Sequence, residues 1–280
     1  MFKKILIIGS GTMGIGVTSL LALLDYELTL FVRNESKQLD VAKSLESHIH
    51  KAIRRRKLPL TVSEVVRKVN IVNVISKSES FDFVFEAVSE DIIKKKQVIV
   101  QFSDNINEET IWATNTSSLS VTDMSSTYKY PENFIGLHFF NPVANMELIE
   151  IIPSMLTSET TTKLCWDFTS KIGKQPVRVE DSPGFIVNRL LIPMINEAVC
   201  LLENGVAEIN EIDSAMKLGA HHPLGPLALA DMIGNDVCLS IMDALYSATG
   251  DSKYRPSYLL KKMVSANQLG RKTGSGFHQY

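Results

Sequence analysis

The first half of the chain alternates short apolar runs with longer segments of helical spacing. Residues 5–8 form an apolar run that ends at glycine, which is typical of a buried parallel strand. Residues 13–24 follow as a helix rich in apolar and small side chains. Further strands are predicted at residues 28–32, 81–85, 111–114 and 134–139. Because strands separated by helices need crossover connections, we predict an α/β domain with a parallel sheet.

The second half of the chain changes to helices alone. Residues 181–184, Asp-Ser-Pro-Gly, form a helix-start signal, and no convincing strand follows them. Helices are predicted at residues 185–204, 209–218, 227–248 and 256–268. We therefore predict an α/β domain over residues 1–181 and an all-α domain over residues 182–280.

A Gly-x-Gly-x-x-Gly pattern lies between the first predicted strand and the first predicted helix, where it is typical of a dinucleotide-binding loop. Gly9 permits a tight turn, Gly11 lets the backbone approach a pyrophosphate, and Gly14 lets helix and strand pack closely. The helix N-terminus offers N–H groups to the phosphates. The pattern predicts a Rossmann-type doubly wound parallel sheet; the alternative is a glycine-rich turn with no ligand. The predicted cofactor-binding residues here are Gly9, Gly11, Thr12, Met13 and Gly14.

The end of the second predicted strand lacks the acidic residue that normally binds the adenosine ribose 2′-hydroxyl, about 20 residues after the loop. Val32 stands there, followed by Arg33 and Asn34. Arg33 is suited to pair with a 2′-phosphate, which favours NADP. The alternative is a solvated Arg33 and NAD bound without its carboxylate. The expected cofactor is therefore NAD or NADP.

Charge and cysteine content exclude several classes of partner. With 29 Lys and Arg against 31 Asp and Glu, the net charge is −2, so no basic excess favours nucleic acid or a membrane surface. Cys165, Cys200 and Cys238 are too far apart for a zinc knuckle and fit a reducing cytoplasm. The N-terminal apolar run is too short for a signal peptide. We expect a cytoplasmic protein that binds neither nucleic acid nor membrane.

The most apolar later segment, residues 185–202, contains polar residues such as Asn188 and Glu197 that a membrane span would rarely tolerate. As a helix it is apolar on almost every face, which predicts burial on all sides, with a kink at Pro193. In a domain of roughly 100 residues, part of that cover is expected from a second subunit. The alternative is a self-sufficient monomeric core.

Several longer motifs occur in a fixed order along the chain. They are IIGSGTMGIG, FEAVSED, ATNTSSLS, IGLHFFNPV, DSPGFIVNRLL, HHPLGPLALADMIGNDV and LGRKTGSGFHQY. In this order they resemble the L-3-hydroxyacyl-CoA dehydrogenase family, most of all its short bacterial 3-hydroxybutyryl-CoA dehydrogenases. The resemblance covers nearly the whole chain and is weakest at residues 38–80. It implies reversible hydride transfer between a nicotinamide and the 3-position of an acyl-CoA, in a homodimer joined through the helical domain.

The resemblance implies a catalytic role for four residues. His138 matches the general acid/base, and Glu150 matches its carboxylate partner. Ser117 and Asn188 match residues that position the substrate oxygen. The chemistry suits these side chains, because an imidazole near neutrality can take and return a proton, and a carboxylate can fix its tautomer. Each residue alone has an ordinary structural interpretation: a buried strand histidine, an exposed strand glutamate, a helix-capping serine and a packing amide.

The resemblance also implies binding roles. Glu90 and Lys95 match cofactor contacts, and Asn115 lies where the family approaches the nicotinamide. Ser47 and Arg54 match the CoA-contacting helix, with arginine in place of the usual lysine.

Two further clusters of basic or imidazole side chains could bind a ligand. Residues 54–57, Arg-Arg-Arg-Lys, are suited to the phosphates of CoA; the alternative is a solvated helix face. His221 and His222 resemble a metal pair, but no third ligand accompanies them at matching spacing, so no metal is expected.

The predicted function is that of an NAD(P)-dependent 3-hydroxyacyl-CoA dehydrogenase acting on short chains, with 3-hydroxybutyryl-CoA and acetoacetyl-CoA as its substrates. The catalytic residues are expected mainly in residues 1–181, while residues 182–280 supply substrate contacts and dimerisation. One alternative is a related dehydrogenase of a free hydroxy acid or sugar acid. Another is a non-catalytic nucleotide-binding protein, which would be expected to lack His138, Glu150 or Ser117.

Overall fold

A computed structural model describes residues 2–280, which divide into two compact units, residues 2–182 and residues 183–280. The division falls one residue after the boundary predicted from the sequence. Among the described residues, no helix is both long enough and apolar enough to cross a bilayer.

The first unit is built on one eight-stranded sheet. The strands are β1 Lys4–Ile8, β2 Glu27–Phe31, β3 Val69–Val72, β4 Phe83–Glu86, β5 Ile111–Thr114, β6 Phe134–Phe139, β7 Leu148–Pro153 and β8 Gln175–Arg178. Their order is β3-β2-β1-β4-β5-β6-β7-β8, and every pair is parallel except β6 and β7. The predicted Rossmann-type doubly wound sheet is confirmed, with one antiparallel pair added near its far edge.

Six helices connect the strands of this unit. They are α1 Thr12–Leu21, α2 Gln38–Arg56, α3 Val62–Val66, α4 Ile92–Gln101, α5 Val121–Ser125 and α6 Glu159–Lys171. The charged segment after β2 folds as α2 and α3. Val41, Leu45 and Ile49 of α2 recur every four residues and are buried in the core, so the basic residues of this helix face outward.

The parallel strands end together at one edge of the sheet. Ile8 of β1 lies between Phe31 of β2 and Glu86 of β4 in the ladder, and Glu86 in turn pairs with Thr114 of β5. Thr114 pairs with Gly136 of β6, two residues before His138. The residues that follow these strands therefore meet at the carboxyl edge, where open α/β sheets bind their ligands.

The second unit is helical, as predicted. Its helices are α7 Val187–Glu203, α8 Ile209–Gly219, α9 Pro226–Ile233, α10 Asn235–Thr249 and α11 Tyr258–Ser265. The predicted single helix over residues 227–248 is wrong, because Gly234, at φ +108°, ends α9 and begins α10. The predicted helix start at residue 185 is also wrong. Gly184 and Phe185 both have positive φ, which a right-handed helix does not allow.

The predicted burial of α7 on all sides stays a prediction, because part of the cover was expected from a second subunit. Its inner face is covered, since Ile192, Ile195 and Val199 belong to the core of the helical unit. Its outer face is open, with Leu190 71% exposed and Leu201 36% exposed. Because apolar residues occur on both faces of α7, the sequence pattern alone did not predict which face packs against the core of the helical unit.

Candidate active site

The glycine-rich loop after β1 is shaped by close backbone contacts at two positions. Gly9 has φ +115°, and a Cβ there would lie 2.5 Å from the carbonyl oxygen of Ala87. A Cβ on Gly14 would lie 1.7 Å from the carbonyl oxygen of Gly9. Only glycine fits these two positions, because any side chain would collide with backbone.

Gly11 differs from the other two glycines, because a Cβ there would meet no protein atom within 4 Å. The absence of a side chain leaves open space above the loop for a ligand to approach the backbone. Gly11 is also the N-cap of α1 and supplies no side-chain cap, so Thr12 and Met13 begin a helix whose first N–H groups point into this space. The loop fits the pyrophosphate of a dinucleotide.

His138 and Glu150 face each other across the antiparallel pair β6 and β7, where they are register partners. The imidazole Nδ1 lies 2.6 Å from Glu150 Oε2, and both side chains are buried. An ionised carboxylate can only accept a hydrogen bond, so Nδ1 carries the proton and donates it. Glu150 therefore fixes the tautomer in which Nε2 presents a lone pair.

The other ring nitrogen of His138 faces Ser117. Nε2 lies 3.1 Å from Ser117 Oγ, and in the tautomer set by Glu150 the serine hydroxyl donates to it. The ring of Phe140 lies against the imidazole, with centroids 4.4 Å apart. Glu150, His138 and Ser117 thus form a hydrogen-bonded chain of carboxylate, imidazole and hydroxyl at the carboxyl edge of the sheet.

Glu90 holds the loop that carries Ser117. Its Oε1 accepts hydrogen bonds from Thr116 Oγ1 at 2.7 Å, Ser117 N at 2.7 Å and Ser118 N at 3.0 Å. The helix that follows is capped by Ser120, whose hydroxyl accepts from Asp123 N, so the capping interpretation does not apply to Ser117. The predicted contact between Glu90 and the cofactor stays a prediction; the observed contacts make Glu90 a positioning residue for Ser117.

Lys95, the second predicted cofactor contact, is fully buried. Its ammonium donates to Glu86 at 2.8 and 3.1 Å and to the carbonyl oxygen of Asn115 at 3.1 Å. Glu86 also accepts from Thr114 Oγ1 and Val88 N. Sequence reasoning missed Glu86, although a single acid inside the apolar run FVFEAV was the available signal.

Asn115 ties the end of β5 to the strand that carries His138. Its Oδ1 accepts from Phe139 N at 3.0 Å, and its backbone N–H donates to Glu86 O at 2.7 Å. Its amide nitrogen makes no hydrogen bond in residues 2–280, which leaves a donor beside β6. This donor fits the predicted place near the nicotinamide.

The predicted CoA-contacting residues lie on the outer face of α2. Ser47 and Arg54 are exposed and seven residues apart, so they share one face of the helix. The structure does not bring them into contact with His138.

Lys174, which sequence reasoning missed, anchors the segment after β6 through its buried ammonium. Its ammonium donates to the carbonyl oxygens of Val143 and Met146, in the segment after β6. Burial lowers the pKa of Lys174, and the positive charge of Arg56 lowers it further. A lysine between a helix and a strand, in the motif KIGKQP, was the only sequence signal.

The remaining predicted residues have the following places. Val32 is buried and Arg33 exposed at the end of β2. Asn188 lies in the first turn of α7, in the helical unit, and stays a predicted substrate contact. Within residues 2–280, no group of three or more His, Cys, Asp or Glu side chains could hold a metal ion.

Comparisons with known proteins identify one family over nearly the whole chain. Residues 4–182 match the 3-hydroxyacyl-CoA dehydrogenase NAD binding domain, and residues 184–280 match the C-terminal domain of the same family. The chain belongs to the 3-hydroxyacyl-CoA dehydrogenase family. It is therefore an oxidoreductase with a nicotinamide dinucleotide as its cofactor, as predicted.

Individual relatives resemble the chain from end to end. It is 46% identical over 278 residues to a 3-hydroxybutyryl-CoA dehydrogenase of Clostridioides difficile, covering 99% of each chain. It is 35% identical to the mitochondrial hydroxyacyl-coenzyme A dehydrogenase of Homo sapiens, covering 99% of this chain and 91% of that one. The crystal structure of (S)-3-hydroxybutyryl-CoA dehydrogenase from Ralstonia eutropha matches with a TM-score of 0.94 at 38% identity, covering 100% and 99% of the two chains.

Proposed function

We propose that this dehydrogenase catalyses reversible hydride transfer between its dinucleotide and the 3-position of a short-chain acyl-CoA, interconverting 3-hydroxybutyryl-CoA and acetoacetyl-CoA. The observation that carries the proposal is the buried hydrogen-bonded pair of His138 and Glu150, with Ser117 on the second ring nitrogen. Relatives over the full length of the chain that are 3-hydroxybutyryl-CoA dehydrogenases support the substrate class.

His138 handles the proton of this reaction. The nicotinamide, when bound, supplies or accepts the hydride. During oxidation, Nε2 of His138 takes the proton of the substrate 3-hydroxyl, and the Glu150 carboxylate stabilises the imidazolium that forms. During reduction the same nitrogen returns the proton to the 3-oxygen. Ser117 binds that oxygen and holds it within reach of the imidazole. Asn188 stays a predicted substrate contact.

The phosphate loop and the residues around it would hold the dinucleotide. The backbone of Gly11 and the first N–H groups of α1 would bind the pyrophosphate. The amide nitrogen of Asn115 would serve as a donor toward the nicotinamide, while Glu90 and Lys95 keep the neighbouring loops in place. Either NAD or NADP is compatible with these contacts.

The CoA moiety distinguishes this function from that of a dehydrogenase of free hydroxy acids or sugar acids. The basic residues 54–57 offer positive charge to the CoA phosphates. We expect the protein to reduce acetoacetyl-CoA at least about 100-fold more efficiently than free acetoacetate, because remote binding energy orients the reacting carbon. Comparable kcat/KM values for the two substrates, measured with both NADH and NADPH, would favour the free-acid alternative.

Arg54 offers a sharper test of CoA recognition. Arg54→Ala is expected to raise KM for acetoacetyl-CoA about 3- to 10-fold, since one exposed charge–phosphate contact is lost, with kcat little changed. KM for the pantetheine thioester, which lacks the nucleotide phosphates, should not change. Arg67→Ala removes an exposed arginine next to α3 and serves as the matched control. An equal rise in KM for both thioesters would argue against a phosphate contact.

We further propose a cytoplasmic homodimer joined through the helical unit. Ile186, Leu190 and Leu201 lie on one face of α7 and are 42%, 71% and 36% exposed in the single chain. The three cysteines are free, which suits a reducing compartment.

The dimer proposal predicts that a charged residue on this exposed face of α7 converts the dimer into a monomer. Leu190→Asp should shift the sedimentation mass from that of a dimer to that of a monomer, because a carboxylate cannot be buried without cost in an apolar interface. Leu39→Asp, at another exposed leucine, is the control. A wild-type protein that sediments as a monomer at micromolar concentration would contradict the proposal.

A further inference from the structure

The connection between β6 and β7, residues 140–147, joins the strands that carry His138 and Glu150. Strand β6 ends one residue after His138, and β7 begins two residues before Glu150. The imidazole meets the carboxylate in the observed register, in which these two residues are directly paired. Because a slip of one residue between two strands turns every side chain to the other face, the shape of this short connection decides whether the pair can form.

Most of this connection is exposed and irregular. Its centre is a turn in which the carbonyl oxygen of Pro142 accepts hydrogen bonds from Asn145 N at 2.9 Å and Met146 N at 3.1 Å. Val143 alone among its residues is buried, and it packs on α1, since a Cβ on Gly16 would lie 2.8 Å from Val143 Cγ2. A segment with so few buried contacts keeps one shape only if other groups bind its backbone.

Lys174 binds the backbone of this turn. It directly precedes β8, the strand parallel to β7, and is 5% exposed. Its ammonium donates to the carbonyl oxygens of Val143 and Met146, each at 2.6 Å. The next residue, Gln175, donates its backbone N–H to the carbonyl oxygen of Glu147 at 2.8 Å. These hydrogen bonds fasten the connection to the start of β8.

The surroundings of Lys174 are not those of a residue that only stabilises the fold. Within residues 2–280, no carboxylate lies within ion-pair distance of its ammonium. Burying a charge without a counter-ion costs free energy, and apolar replacements for buried charged groups are often as stable or more stable. Two directional donors on two carbonyls of one turn do, however, specify the shape of that turn.

Resting on the proposed function, we propose that Lys174 is a positioning residue for the reaction. By holding the connection between β6 and β7, it fixes the register in which Nδ1 of His138 donates to Glu150. Lys174 acts through the turn and has no part in the proton transfer itself. Without it, the connection changes shape, the hydrogen bond between the imidazole and the carboxylate weakens, and the tautomer with a lone pair on Nε2 is no longer enforced.

The test combines kcat with the nitrogen NMR shifts of the His138 imidazole, which report which ring nitrogen carries the proton. The wild type is expected to show the proton on Nδ1 alone. Lys174→Met removes the donors and should show both tautomers in exchange. It should also lower kcat for acetoacetyl-CoA reduction roughly 10- to 100-fold, because a small misplacement of a reacting group costs up to about this much.

Two further variants separate positioning from stability. Lys174→Arg keeps N–H donors at this place and should recover most of the lost kcat and the single tautomer. Ile172→Val, two residues before Lys174 in the core of the same unit, is the matched control. It should lower the midpoint of thermal unfolding and leave both kcat and the tautomer unchanged. A loss of kcat in Ile172→Val equal to that in Lys174→Met would assign the effect to stability and overturn the proposal.

If Lys174→Met does not fold, Lys174→Gln, with neutral donors on a shorter side chain, provides the same measurements and should change both in the same direction. A folded methionine or glutamine variant with the wild-type tautomer, or with unchanged kcat, would overturn the proposal. Because the tautomer is measured without substrate, a protein that shows the expected NMR shifts but fails to reduce acetoacetyl-CoA would refute the proposed function and not the role of Lys174 in holding the pair.

Discussion

Replacing His138 with alanine is expected to lower kcat for acetoacetyl-CoA reduction by at least about 100-fold, the range of a general acid/base group. Glu150 holds Nδ1 of the imidazole, and Nε2, which lies beside Ser117, is the nitrogen that exchanges the proton with the substrate. Without it, the 3-oxygen must take its proton from water or from a group that is not positioned to donate. Initial rates at saturating thioester and dinucleotide measure this loss.

A second substitution separates proton transfer from local packing. His138→Asn keeps an N–H donor near the Nδ1 position, so that the hydrogen bond to Glu150 can be retained, but it cannot carry the proton. Both variants should bind the dinucleotide as the wild type does and should be equally slow. His222→Ala, in the helical unit, should keep full activity. A kcat within about 10-fold of the wild type in either His138 variant would contradict a general acid/base role.

Glu150→Gln is expected to have the second largest effect, a loss of about 100-fold or more in kcat with little change in dinucleotide binding. The amide is nearly the same size as the carboxylate, so the fully buried site stays packed. What is lost is the negative charge that stabilises the imidazolium. The new amide NH2 can also donate to Nδ1 and so favour the tautomer that lacks a lone pair on Nε2, which is how the same change inactivates a catalytic triad.

The conservative variant makes this a test of positioning and charge. Glu150→Asp keeps the charge at a longer distance from Nδ1 and should recover part of the activity that glutamine loses. Glu147→Gln changes an exposed residue just before β7. It is the matched control and should leave kcat unchanged. If aspartate proves no better than glutamine, the charge of Glu150 does not act through His138.

Much of the fold could be predicted because the strands have strong local signals. Strands β5 and β6 have the predicted bounds, since each is an apolar β-rich run that begins directly after a polar residue. The phosphate loop was equally clear, because glycine at Gly9 and Gly14 is enforced by backbone contacts that no other residue permits.

Other features depend on contacts that local pattern does not contain. The meeting of His138 and Glu150 requires β7 to run antiparallel to β6 in one particular register. The break at Gly234 depends on a positive φ, which the apolar spacing of residues 227–248 concealed. The support of Ser117 by Glu90 joins residues 27 positions apart, so it could not be read from either motif alone.

The distance between His138 Nε2 and the substrate 3-oxygen tests the central claim most directly. A crystal structure with dinucleotide and acetoacetyl-CoA bound is expected to place these atoms about 2.6–3.2 Å apart, within hydrogen-bond reach. A closed complex in which the 3-oxygen lies beyond the reach of the imidazole and instead contacts another proton donor would contradict the account.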